Sequence, residues 1–378
     1  MNVLVLNAGS SSLKLSLYGF PKEHLLLRVH VDGIGKNLAT ISMAGATIRK
    51  RMTTHKDALD YVFSHFPENV AIDVVSHRVV HGGEYFTEPK KITTAVLRKL
   101  KTLKDLAPLH LPANIEGIEA AKASLPKATH VAVFDTAFHA TIPEVAYRYG
   151  VEEAWYKKYG VRRYGFHGSS HQHIMQEVKK LLSKQRVNVI SCHLGNGSSV
   201  CAIRKNKSIE TSMGFSPLSG VLMGTRSGDV DPEVIYFLKK NGVPFEEVQE
   251  HLEKNSGFMG LMGTNDLREI YSKAKKGNKK ARFTIDFFSY EVARYVGMYA
   301  ALLGDVDALA FTGGIGEAAF YVRKKICAYL QGLSIKLDTK KNRDNKLLVH
   351  TRSSKMKVFV IKTNEEIVMA KEAISCLK

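Results

Sequence analysis

Cysteine, proline and tryptophan are scarce in this chain of 378 residues, which has four Cys, ten Pro and one Trp. The cysteines (Cys192, Cys201, Cys327, Cys376) form no Cys-x-x-Cys pair, and their scatter points to buried free thiols in a reducing compartment rather than a disulfide framework. No apolar run is long enough to span a bilayer, and the N-terminus enters a strand at Val3 instead of a basic leader, so a cytoplasmic protein without membrane partners is expected. Long low-complexity tracts are absent too. With 44% hydrophobic and 9% aromatic residues the chain reads as globular, with length for two domains. Acidic residues are short of balance: 36 Asp and Glu face 55 Lys and Arg, a formal net charge of +19. The basic runs at Lys101–Lys104, Lys179–Arg186, Lys273–Arg282 and Lys336–Lys346 are separated and lack the interleaved aromatics that stack on bases. They predict a solvated surface with mild anion steering and no nucleic-acid partner.

What is present is a pattern that occurs twice. Asn2-Val-Leu-Val-Leu-Asn7-Ala-Gly-Ser-Ser-Ser12 is echoed by Asn188-Val-Ile-Ser-Cys-His193-Leu-Gly-Asn-Gly-Ser198-Ser199. Each copy runs an apolar strand into a Gly/Ser/Asn turn and then a second strand. Such a turn lets backbone N–H groups approach a ligand closely and suits phosphate oxygens. Either copy alone could be an ordinary hairpin; the doubling suggests two duplicated domains gripping one polyphosphate. A third Gly-rich turn, Ala308-Leu-Ala-Phe311-Thr-Gly-Gly-Ile-Gly-Glu317, follows another apolar strand and opens a helix predicted through Leu330. No Gly-Lys-Ser/Thr follows, so it is not a P-loop.

The remaining pattern alternates strands and helices, as α/β domains do. Strands are predicted at Val3–Leu6, Leu13–Tyr18, Leu25–Val31, Ala39–Met43, Ala71–Ser76 and Thr129–Asp135. Helices are predicted around His55–His65, through Lys90–Leu106 as one element, at Ile115–Ala123 after breaks at Pro108 and Pro112, and at His171–Ser183. Arg162–Ser170, Thr211–Asp231 and Asn255–Asp266 read as loops, where functional groups concentrate. Arg78 and Arg226 lie in Gly-bordered turns, and each could fork to a carboxylate or phosphoryl group, surface ion pairing being the plainer alternative. His77, His81 and Glu84, and likewise His167, His171 and His173, have helical metal-ligand spacing. The glycines at 82, 83, 165 and 168 break the helices that spacing presumes, so zinc is not expected.

Asn7-Ala-Gly-Ser-Ser-Ser-Leu-Lys14, His77-Arg-Val-Val-His-Gly-Gly83, Phe134-Asp-Thr-Ala-Phe-His139, Tyr164-Gly-Phe-His-Gly168, His193-Leu-Gly-Asn-Gly197, Met223-Gly-Thr-Arg-Ser-Gly228 and Thr363-Asn-Glu-Glu366 together resemble the acetate kinase family, collinearly over nearly the whole chain. The resemblance implies duplicated RNase-H-like (actin-like ATPase) domains with an inter-domain nucleotide cleft: residues 1–137 with 366–378, and residues 138–365. It implies ATP as co-substrate, Mg²⁺ (or Mn²⁺) held by Asn7 and Glu365, acetate or another short-chain carboxylate as acceptor, and a homodimer whose domains close over substrates. By the same resemblance Arg78 and Arg226 grip the acetate carboxylate and the transferring phosphoryl group. His167 would hydrogen-bond that phosphoryl group, and Asp135 would orient the arginines and the acetate end. Val80, Leu109, Phe166 and Pro217 would form the acyl pocket. The nucleotide segments would be His193-Leu194-Gly195-Asn196-Gly197, Asp266-Leu267-Arg268 and Gly313-Gly314-Ile315-Gly316-Glu317. The resemblance further implies that a C-terminal helix, Glu365–Leu377, packs back on the first domain.

The chain departs from the family at Leu111 within His110-Leu-Pro-Ala113, at Ala318 after Gly316-Glu317, and in Phe215-Ser-Pro-Leu-Ser219. Leu111 bears on acyl preference and Ala318 on the phosphoryl donor. A propionate or other short-chain acyl kinase is therefore the close alternative, and a non-catalytic actin-like nucleotide-binding module the distant one. The latter has no need of Arg78, Asp135, His167 and Arg226 together.

Overall fold

The computed structural model describes residues 1–66 and 70–377. The chain forms two compact units, one of residues 1–138 with 364 onward and the other His139–Thr363. In the first unit the strands are β1 (Asn2–Ala8), β2 (Ser12–Gly19), β3 (His24–Asp32), β4 (Ala39–Met43), β5 (Ala46–Lys50), β6 (Val74–Val79), β7 (Lys90–Lys91) and β8 (Thr129–Phe134). Their order is β5-β4-β3-β2-β1-β6-β8-β7. β1 to β5 form an antiparallel meander, whereas β1, β6 and β8 run parallel.

β1 is apolar at almost every position because helices cover both faces of the sheet. Alternate side chains serve opposite faces. Leu4, Leu6 and Ala8 pack with Leu59, Val62 and Ala121 from helices His55–Ser64 and Leu111–Ser124. Val3 and Val5 pack with Val368, Met369 and Ala373 of the C-terminal helix Glu365–Ser375.

In the second unit β9 (Val189–Leu194), β10 (Ser198–Arg204), β11 (Lys207–Thr211), β12 (Ala308–Thr312) and β13 (Lys357–Val360) take the order β11-β10-β9-β12-β13. The β9–β10 and β10–β11 pairs are antiparallel, and β9, β12 and β13 are parallel. This repeats β3-β2-β1-β6-β8 of the first unit strand for strand, so the doubled motif marks a duplicated fold. It is the α/β, actin-like ATPase architecture with RNase-H-like units. The 25-residue helix Lys279–Leu303 supplies Ile285, Phe288, Val292 and Val296 to the core over β9, β10 and β12.

Five local expectations are corrected. Lys90–Leu106 is not one helix: Lys90 and Lys91 pair with β8, and Thr93 then caps a new helix, Thr94–Lys101, by accepting from Val96 N. A 3₁₀ turn, Lys104–Leu106, follows. Pro112 does not break the chain, because it stands in the first turn of Leu111–Ser124, where a missing N–H costs nothing. The predicted Gly313–Leu330 helix is two, Gly313–Ala318 and Phe320–Tyr329, parted at Ala319. The carbonyls of Gly316 and Glu317 accept from Arg323 Nη1 at 2.8 and 2.9 Å, which satisfies the end of the first segment without a continuing helix. Finally, Arg78 lies inside β6 and not in a turn, and helices begin within two predicted loops, at Gly168 and Gly257.

Candidate active site

In the first unit, Arg78 near the end of β6 and Asp135 just after β8 form a forked ion pair. Arg78 Nε donates to both Asp135 oxygens at 3.1 Å, and Nη2 donates to Oδ2 at 2.6 Å. Nη1 reaches Asn7 Oδ1, near the end of β1, at 3.4 Å. Asp135 is only 2% exposed, so the pair is largely desolvated. Burial by itself would lower the Arg78 pKa; the Asp135 carboxylate more than offsets this, Glu365 adds to it, and the net shift is upward. The arginine is therefore locked in its charged form and fixed in direction. Glu365 opens the C-terminal helix.

Val80, one residue past β6, is held by its backbone, whose N–H donates to Asn114 Oδ1 at 3.0 Å while Asn114 Nδ2 donates to Ala8 O at 2.7 Å. Leu109 is half exposed, whereas Leu111 is fully buried with Val79, Ile115 and Phe134. The family departure at 111 thus fills the core of this unit.

In the second unit, the turn between β9 and β10 is the meeting point. His167 adopts a left-handed backbone (φ 59°) immediately before the helix Gly168–Leu182, a conformation rare outside glycine. Its Nδ1 bonds Ser199 Oγ at 2.8 Å. His193 Nδ1 bonds Ser170 Oγ at 2.7 Å, and the two imidazole centroids lie 4.3 Å apart. A Cβ placed on Gly197 would sit 3.4 Å from His167 Nε2 and 3.7 Å from Arg226 Nη1. Both groups therefore face the same stretch of bare backbone.

Arg226 is partly buried, and its Nη1 donates to Pro217 O at 3.2 Å. Among the described residues no carboxylate forms an ion pair with it. Burial lowers its pKa, with only Glu253 opposing. Phe166 is buried, and its carbonyl oxygen bonds His139 Nε2 at 2.9 Å.

Beside that turn lies a cavity of about 590 Å³. Of the nucleotide segments expected from sequence, Gly195, Asn196, Asp266, Leu267, Arg268, Gly314 and Ile315 line it. The others support the wall. Gly313 has φ +77°, and a Cβ there would meet Leu194 O at 2.6 Å, so only glycine lets this turn press on the end of β9. Glu317 Oε1 accepts from Gly313 N at 3.1 Å and Thr363 N at 2.9 Å. A Cβ on Gly316 would lie 3.7 Å from Leu194 Cβ.

Sequence reasoning missed Asn265, Tyr271, Ala319 and Tyr321, which also line the cavity together with Ala318. Tyr271 and Tyr321 stack with centroids 3.6 Å apart. Each lies within one helical turn or so of a quoted motif, the available signal for finding them. Among the described residues no group of three or more His, Cys, Asp or Glu is arranged to hold a metal ion, and no helix is long and apolar enough to cross a membrane.

A profile of the acetokinase family matches residues 2–371. The chain belongs to the acetokinase family. An acetate kinase of Carboxydothermus hydrogenoformans is 43% identical, covering 99% of this chain and 98% of its own. Among solved structures, Porphyromonas gingivalis acetate kinase superposes with a TM-score of 0.94 at 38% identity, covering all of both chains. A propionate kinase from Francisella tularensis subsp. tularensis superposes at 0.96 with 39% identity and 99% of both chains covered. The acetate kinase reading of the sequence stands, and with it an enzyme that transfers a phosphoryl group to a carboxylate.

Proposed function

We propose that this chain makes acetyl phosphate and ADP from acetate and Mg-ATP by direct in-line transfer, and runs the reverse reaction with the same groups. The observation that carries this reading is the convergence of His167 Nε2 and the unpaired Arg226 guanidinium on the Gly197 backbone, at the rim of the 590 Å³ cavity. A partly buried cation without a carboxylate partner is costly unless an anion completes the site. A phosphoryl group is such an anion.

An acetate oxygen attacks the γ-phosphorus while the bond to the β-bridging oxygen breaks. Little covalent help is needed; alignment and positive charge around the equatorial oxygens do most of the work. Arg226 and His167 donate to the phosphoryl oxygens as charge spreads over them. Arg78, aimed by Asp135, holds the carboxylate; Val80 and Leu109 of the first unit, and Phe166 and Pro217 of the second, are the apolar residues assigned to the methyl group. The nucleotide occupies the cavity between Gly195-Asn196, Asp266–Arg268 and Gly314-Ile315. Asn7 and Glu365 are hard oxygen donors, and Arg78 orients the Asn7 oxygen. A Mg²⁺ ion that keeps its waters and phosphate oxygens needs only one or two such protein ligands, so this donor set fits. When bound, the ion neutralises phosphate charge. Exposed Tyr236, Phe237 and Phe245 support the homodimer, to be checked by sedimentation. The chemistry suits a cytoplasmic setting, where ATP is supplied.

The test is phosphoryl transfer to acetate, propionate and butyrate in parallel, trapping the acyl phosphate as hydroxamate. Acetate should lead propionate by about tenfold, one methylene being worth about 1–3 kcal/mol. A propionate lead, which the Francisella likeness would favour, reassigns the acceptor. No turnover with any acid, with ATP or pyrophosphate, ends the catalytic reading.

A further inference from the structure

His167 does not stand alone behind the Gly197 turn. Its Nδ1 lies 2.8 Å from Ser199 Oγ, and the same hydroxyl lies 2.8 Å from His171 Nε2. His171 Nδ1 in turn lies 2.9 Å from Ser191 Oγ. The chain Ser191–His171–Ser199–His167 runs from the middle of β9 to the rim of the site. Ser191, Ser199 and His171 are all fully buried, so no water competes for these bonds. The fold sets the spacing: His171 is one helical turn after His167, its N–H donating to His167 O at 3.0 Å, and Ser191 and Ser199 stand on the neighbouring strands β9 and β10.

With a neutral His167, proton counting leaves this chain two arrangements. Ser199 has one hydroxyl proton and sits between two imidazole nitrogens, so it donates to one and accepts from the other. Burial, and then His139 and His193, push the His171 pKa well below its usual value, so His171 is neutral and carries one proton. If every donor points inward, His167 Nδ1 carries the proton and Nε2 turns an unprotonated nitrogen toward Gly197. If every donor points outward, Ser191 Oγ–H donates to His171 Nδ1, His171 Nε2–H to Ser199 Oγ, and Ser199 Oγ–H to His167 Nδ1. The His167 proton is then held at Nε2, on the side where Arg226 Nη1 also faces Gly197. An anion at that turn selects the outward arrangement, because it is satisfied by donors and repelled by a lone pair.

We infer that Ser199 and His171 are positioning residues that fix the His167 tautomer with its proton on Nε2, so that the imidazole is a ready hydrogen-bond donor to the transferring phosphoryl group. The inference rests on the proposed role of His167 in phosphoryl transfer. It assigns a catalytic purpose to a serine and a histidine that touch no substrate, where a chain of satisfied core groups would have sufficed for folding alone.

The experiment combines spectroscopy with kinetics on the full chain. In ¹⁵N-histidine-labelled wild-type protein, with the His167 resonances assigned by their loss in His167→Asn, the ring should show a protonated Nε2 and an acceptor Nδ1. A protonated Nδ1 with bare Nε2 overturns the inference. Ser199→Ala should erase the tautomer preference and lower kcat about 10–100-fold, the usual cost of freeing a functional histidine from its orienting partner. KM for ATP and for acetate should stay within about twofold. Ser199→Thr, which keeps the hydroxyl, should recover most of kcat. Wild-type kcat in Ser199→Ala, or equal losses in the alanine and threonine variants, overturns it as well. A wild-type protein that makes no acetyl phosphate would sink the activity reading, and the tautomer spectrum would still decide the relay independently.

Discussion

The two units share a five-strand order and differ in how each handles its arginine. In the first, Arg78 is forked onto Asp135 and touches Asn7, so its charge is compensated before any ligand arrives. In the second, Arg226 donates to the Pro217 carbonyl and to the Met223 sulfur, and among the described residues no carboxylate forms an ion pair with it. A duplicated scaffold can thus yield a preformed clamp in one copy and an anion-seeking site in the other. The largest expected effect tests the second arrangement. Arg226→Ala should lower kcat by about 10²–10⁴-fold, the range for losing one charged donor to a transition state. It should change stability by only about 1 kcal/mol in either direction, since the lost hydrogen bond and the relieved desolvation nearly cancel. Turnover at the wild-type rate would show that the unpaired charge has no part in the chemistry.

Arg78 should break the comparison from the other side. Arg78→Ala leaves the Asp135 carboxylate buried and unpaired, which costs about 3–5 kcal/mol of stability. Activity should fall steeply as well, with KM for acetate rising. Adding Asp135→Asn to that variant should return much of the stability by removing the orphaned charge, and none of the activity. Chemical denaturation of the single and double variants separates the two contributions. If Arg78→Ala melts like the wild type, the ion pair is a surface-like contact and the contrast between the units fails.

This contrast also marks where sequence reading stopped. The doubled strand–turn–strand pattern was legible because β1 and β9 are covered on both faces and so carry unbroken apolar runs ending in a Gly/Ser/Asn turn. Arg78 and Arg226 were both found, but as equivalent arginines in turns. That Arg78 sits inside β6, opposite a carboxylate more than fifty residues away, depends on parallel pairing of β6 with β8, which no local pattern encodes. The Gly313 turn was legible from its glycines. The break at Ala319 was not, because its cause is Arg323, a buried side chain further along that takes up two carbonyls of the preceding segment. Tyr271 and Tyr321 escaped notice for a related reason. On paper each is an aromatic on an amphipathic helix, and only the packing of two helices stacks them at a cavity wall.

The smallest expected effect concerns a feature the units have in common. Each buries a histidine, His77 in the first and His171 in the second, and in both burial pushes the pKa well below its ordinary 6.5. His130 and Lys122 push His77 the same way, as His139 and His193 do His171. The folded state therefore refuses a proton that the unfolded chain accepts. Stability is at its full value above pH 6.5, where neither state is protonated, and falls as the pH drops below it, because only the unfolded state then gains protons. The slope per histidine is at most about 1.4 kcal/mol per pH unit. Urea unfolding at pH 7.5 and 5.5 should show this loss, and His77→Gln should remove the first unit's share while leaving that of the second. Because burial comes first and histidine neighbours second for both rings, about equal shares are expected. A larger share for His77 would mean that His130 and Lys122 oppose its charge more strongly than His139 and His193 oppose that of His171, and a pH-independent midpoint would show that neither ring is held neutral by the fold.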